Sequence, residues 1–203
     1  MSAARQRQPW SMKWIVIAIL AVIIPYTYIT LRYRKPGKAF EPYHDMKERA
    51  QTVRLLSAGF QRVSLKAELP VDPSPSGPGA AVSRAPGGLP QILQDTLLDK
   101  PLLAAEIDDV HAAPVVNTLL GYTIELRYTQ PDHHQHLGGA EAYLQGDEIW
   151  IAPELEKLHG DLLARNRQNA VRLTFPAGSL KPGTYRVTAL GTNSSRAWTL
   201  QVK

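Results

Sequence analysis

The chain has 203 residues, no cysteine, and 23 Lys/Arg against 18 Asp/Glu, a formal charge of +5. That length holds one ordinary domain with attachments, and the missing cysteine excludes disulfides and thiolate metal or redox chemistry. The charge does not describe a nucleic-acid surface. Residues 1–50 carry nine Lys/Arg and three Asp/Glu, while the other 153 are almost balanced. The excess flanks one hydrophobic segment, where anionic headgroups would be, so nucleic acid is not an expected partner.

A short tail, residues 1–13, precedes "WIVIAILAVIIPYTYITL", eighteen residues without a charge from Trp14 to Leu31. At about 1.5 Å per residue such a helix matches the bilayer hydrocarbon. Residues 14–33 are therefore read as a transmembrane helix, with Trp14, Tyr26, Tyr28 and Tyr33 at the headgroup levels and Pro25 as a tolerable kink. A cleaved signal peptide is the alternative, but no small-residue cleavage pattern follows the apolar core. Arg5, Arg7 and Lys13 before the helix nearly balance Arg32, Arg34, Lys35 and Lys38 after it. Long C-terminal domains cross largely regardless of charge, so the expectation is a single-pass inner-membrane protein with its domain in the periplasm.

Residues 34–59 form a basic, amphipathic juxtamembrane segment. Asp45 and Glu48 suit the start of a helix, Met46, Ala50, Val53 and Leu56 or Ser57 recur at helical spacing, and Gly59 suits its end. This helix either lies on the membrane or packs on the domain, the second being more ordinary for so small an apolar face. Residues 60–68 alternate as a first strand. Residues 69–90, dense in Pro, Gly, Ser and Ala, read as a flexible segment, and Pro90 suits the start of a short helix.

The remaining residues, 91–203, read as β. Short strands are expected around Ile107 and Val115. "YTIELRYT" alternates strictly, "AYLQGDEIWIA" reads as a hairpin turning at Gly146-Asp147, and further strands run through Val171–Phe175, Tyr185–Ala189 and Trp198–Val202. "PELEKLHGDLLARNRQN" reads as a loop with a helical turn. Turn signals every eight to twelve residues then predict an antiparallel sandwich.

The ending "LKPGTYRVTALGTNSSRAWTLQV" resembles the last two strands of immunoglobulin-like modules in bacterial envelope proteins. The layout of single span, amphipathic segment and β-domain resembles FixH-type accessory proteins of cytochrome oxidase assembly. This resemblance implies an N-terminal transmembrane helix followed by an immunoglobulin-like antiparallel β-sandwich. It also implies a non-enzymatic accessory subunit of a bacterial inner-membrane complex, with other membrane-protein subunits as partners.

Two alternatives to that function remain open. His133, His134 and His136 fall within four residues, and imidazoles suit copper or zinc, with Asp132 able to add an oxygen. A metal-delivery protein would use them. The competing reading is a connecting loop bracketed by Pro131 and Gly138-Gly139. Glu106, Asp108, Asp109 and His111 form a second candidate cluster, His44 and Met46 a third. The other alternative is an extracytoplasmic binding module displaying Trp150, although core burial suits that residue better. No nucleophile elbow, phosphate loop or cysteine nucleophile is present, and neighbouring acids such as Asp108-Asp109 and Asp147-Glu148 usually point apart, so no enzymatic activity is expected. Asn193-Ser194-Ser195 matches a glycosylation sequon.

Overall fold

A computed structural model describes residues 11–33, 44–69, 79–160 and 162–203, without the side chains of Tyr33, His44 and Asp45. The expected roles of Arg5, Arg7, Arg34, Lys35, Lys38 and the Asp45 cap lie outside these residues, as do residues 70–78 of the Pro/Gly-rich segment. The chain divides into two units, Met1–His44 and Asp45–Lys203.

The first unit contains α1 (Met12–Tyr33), two residues longer at its start than the expected span. Met12–Arg32 is long and apolar enough to cross a membrane, and every side chain described along it is exposed. Pro25 sits inside the helix, and one turn on Thr30 Oγ1 donates to the Tyr26 carbonyl at 2.7 Å.

The second unit begins with α2 (His44–Ser57). Gly59 terminates it with φ +79°, a conformation that glycine adopts without a Cβ clash. Phe60 N–H donates to Leu55 O and Gly59 N–H to Leu56 O, and Phe60 and Leu55 are buried in one apolar cluster. This paired closure with its hydrophobic contact is a Schellman motif. It turns the chain directly into β1 (Gln61–Glu68).

The other elements are β2 (Ser83–Pro86), α3 (Gln91–Thr96), β3 (Glu106–Ala112), β4 (Val115–Val116), β5 (Tyr122–Thr129), β6 (Gln135–Gln145), β7 (Glu148–Lys157), β8 (Gln168–Phe175), β9 (Gly183–Ala189) and β10 (Ser194–Val202). Hydrogen bonding runs β10-β3-β5-β8-β1-β6-β7-β9 and returns from β9 to β10. The sheet thus closes as an eight-stranded barrel, and the sandwich expected from strand spacing is not confirmed. Turn spacing reports strand length and says little about whether the edges meet. Nor is the pairing wholly antiparallel. β7 runs parallel to β9, and β10 runs parallel to β3 and β4.

Two local expectations also change. Ser83–Pro86, inside the segment read as flexible, forms a strand antiparallel to Ser194–Ala197. Gly87 permits this approach, since a Cβ there would lie 2.3 Å from the Asn193 carbonyl carbon. The "PELEK" stretch, read as the start of a loop, continues β7 to Lys157 opposite Gln135. Pro153 and Leu155 face inward there and the acids alternate outward, a period of two that the neighbouring polar residues mask.

The barrel interior is filled. Ile107, Ile124, Leu126, Ile149, Ile151, Leu173 and Leu200 are completely buried, joined by Phe175 and Trp198. Trp198 Nε1 donates to Tyr122 Oη at 3.0 Å, and Tyr122 passes its own proton to the Ala113 carbonyl at 3.1 Å. A second apolar cluster lies on the outer side of β6 and β7. There Leu55 of α2, Leu93 and Leu97 from α3 and its C-cap, Phe60, Leu103 and Leu190 cover Tyr143 and Ala152. Trp150 belongs to this layer, half-buried and tilted against Phe60 at 5.8 Å. It is neither part of the barrel core nor an open aromatic platform.

Candidate functional site

The histidine-rich segment is only half a loop. Gln135 begins β6, so His136, Gly138 and Gly139 lie within a strand, with the pairing register shifting between Leu137 and Gly139. A glycine pair inside a strand marks such a bulge. His133 Nδ1 is 2.8 Å from the Ala164 carbonyl, and His134 N–H donates to Asp132 Oδ1 at 2.8 Å. His136 lies opposite Glu156 and is exposed. Asp132 is thereby occupied in its own turn.

The second cluster is equally dispersed along β3. Asp108 accepts from Thr129 Oγ1 at 2.8 Å, and Asp109 accepts from the Val110 N–H beside it. Of the third, Met46 is exposed and the His44 side chain lies outside the described residues. Among the described residues, no group of three or more His, Asp or Glu side chains is placed to hold a metal ion.

His136 does border a cleft of roughly 410 Å³ at one end of the barrel. Tyr128, Gln130, Arg165 and Asn169 face it from the ends of β5 and β8 and the loop between β7 and β8. Gln130 is 2% exposed, and its Oε1 has no hydrogen-bond partner. Burial raises the Tyr128 hydroxyl pKa, opposed by a hydrogen bond with Gln130.

A tighter polar constellation escaped sequence reasoning. It stands on the outer face of β1, β6 and β7, where period-two alternation turns Arg62, Glu141, Tyr143 and Glu154 away from the barrel core. Arg62 Nε donates to Glu141 Oε2 at 2.6 Å and its Nη2 bonds Glu141 Oε1, a bidentate pair. Tyr143 Oη donates to Glu141 Oε2 at 2.9 Å. Glu141 is 7% exposed, so all this bonding supports one nearly buried carboxylate. The pair raises the Arg62 pKa, chiefly through the hydrogen bond that Arg62 donates to Glu141. Burial, then the Glu141 charge, moves the Tyr143 phenol upward as well.

Glu154, across the strand pair, experiences the opposite environment. Burial first and the Glu141 charge second push its carboxyl up to about 7, despite the opposing influence of Arg62. The result is one carboxylate locked by an arginine beside one that exchanges its proton near neutrality. Such a pair responds to pH. The signal available in sequence was a lone acid inside each apolar run, "GAEAYL" and "IAPEL".

Comparison with known proteins returns nothing: no family model, no curated protein and no solved structure matches this chain.

Proposed function

We propose that this chain is a single-pass accessory or structural subunit of a bacterial inner-membrane complex. In this reading α1 spans the bilayer, and the barrel acts on the periplasmic side through protein–protein contacts. The observation that carries it is the helix Met12–Arg32, long and apolar enough to cross a membrane, with every described side chain along it exposed. Such a helix is stable where lipid or partner helices cover it. The filled barrel supports the rest of the reading. With its interior packed by side chains, the domain has its outer surface left for recognition. A role in respiratory oxidase assembly is the specific case that the sequence resemblance implies.

Membrane extraction tests the proposal. The chain should resist alkaline carbonate, require detergent for release, and migrate on native gels with partner subunits identifiable by mass spectrometry. Recovery of a soluble chain trimmed of its first thirty-odd residues would refute the anchor. Uniform migration as a lone monomer would refute the subunit. Fusions of alkaline phosphatase and a fluorescent protein to the C-terminus fix the side: phosphatase activity is expected.

A further inference from the structure

The helix α2 has two apolar faces, and the barrel uses one. Leu55 is buried, with Gln51 and Ala58 half-buried beside it at helical spacing. That face is fixed to the neighbouring α3 region. Arg54 Nη2 donates to the Asp95 carbonyl at 3.0 Å, and the Asp99 N–H donates to Gln51 Oε1 at 3.3 Å. On the opposite side, Met46, Ala50, Val53 and Leu56 form a second stripe. All four are exposed, with Met46 at 66%, Val53 at 65% and Leu56 at 64%. Three large apolar side chains held in water along one rigid face require an occupant.

We propose that this occupant is the headgroup layer of the membrane carrying α1, so that α2 is an interfacial helix clamped between lipid and barrel. The inference rests on the reading of α1 as a membrane span. Charge supports it: Lys47 and Arg49 stand on α2, and from Arg32 to Arg54 the chain carries seven Lys/Arg against three Asp/Glu. Basic rims beside an apolar stripe suit anionic lipid. Reach supports it too. Ten residues separate Tyr33 from His44, which limits the gap to about 35 Å of extended chain. A stripe of three side chains binds free vesicles weakly. On a tethered domain the same contact is intramolecular, and a high effective concentration compensates for its small area.

The test exploits the absence of cysteine. The full chain, carrying Ala50→Cys or the control Thr123→Cys on β5, is labelled with bimane and placed singly in nanodiscs containing phosphatidylglycerol. Brominated lipid should quench the probe at Ala50 and not at Thr123, while aqueous iodide should quench Thr123 severalfold more strongly. Adding Met46→Gln, Val53→Gln and Leu56→Gln should abolish the difference without lowering Tm, because these side chains are exposed. Equal iodide access at both sites overturns the inference, as does protection that survives the triple substitution or arises only when another protein is added. A chain that enters the nanodisc with Ala50 open to iodide overturns this inference alone. A chain that fails to enter overturns the anchor itself.

Discussion

Replacing Glu154 by Gln should stabilise the barrel at alkaline pH and leave it unchanged in acid. A folded-state pKa of about 7 stands above the ordinary carboxylate value of 4.5. Between those values the folded chain binds more protons than the unfolded chain, so stability falls as pH rises and the penalty is complete above pH 7. At about 1.4 kcal/mol per pKa unit the full shift amounts to roughly 3 kcal/mol, and solvent screening of a partly open side chain reduces this to about 2 kcal/mol. Glu154→Gln keeps the shape and removes the charge. Thermal unfolding of both chains in detergent, followed by tryptophan fluorescence, should give matching Tm near pH 4.5. A variant advantage of about 4–8 °C is expected at pH 8 for a domain of this size. A constant difference across that range would show that Glu154 titrates normally and that its burial imposes no charge penalty. A variant less stable at pH 8 would show that the carboxylate is needed there.

Arg62→Met should cost about 3–5 kcal/mol by removing the cation from the nearly buried Glu141 carboxylate, whereas Arg62→Met with Glu141→Leu should recover only part of it, because the buried Tyr143 hydroxyl loses its acceptor; a double-mutant cycle in urea measures the coupling. Leu126→Ala, at 0% exposure, should cost about 2–5 kcal/mol by equilibrium unfolding. Tyr122→Phe strands the buried Trp198 indole N–H and should cost about 1–3 kcal/mol, with a changed Trp198 emission as the local readout. Gln130→Met takes the hydrogen-bond partner from the buried Tyr128 hydroxyl and should cost about 1 kcal/mol, which chemical denaturation would register.

Legibility in the sequence followed periodicity. Tyr122–Thr129 alternates without interruption, and the structure buries Tyr122, Ile124, Leu126 and Tyr128. Gly146-Asp147 marks its hairpin because a positive φ at that turn needs glycine, and φ there is +57°. Closure was not legible. It depends on β9 meeting β7 in parallel, Glu148 with Arg186, and on β10 meeting β3, Ser194 with Glu106, contacts distant in the chain that leave no local pattern. The polar site was hidden for a related reason. Glu141 and Arg62 lie 79 residues apart and meet only through the pairing of β1 with β6. The histidines, conspicuous in the sequence, are near neighbours, and a strand start separates His136 from His133 and His134.

The ring has an uneven circumference. Most neighbouring strands share long ladders, but β3 and β10 share one residue pair, Ser194 with Glu106. Around it, Thr192 N–H reaches Ala104 O, Asn193 N–H reaches Ala105 O, and the Arg196 guanidinium donates to Ile107 O and Asp108 O. A cylinder fastened along one line by a side chain and a few loop amides parts there before it melts elsewhere. Amide protons of the first residues of β3 should then be the earliest of the barrel to exchange, at a free energy below that of global unfolding. The short ribbon Ser83–Pro86 is stitched to the same line, so loosening it would release that ribbon and unzip the wall together.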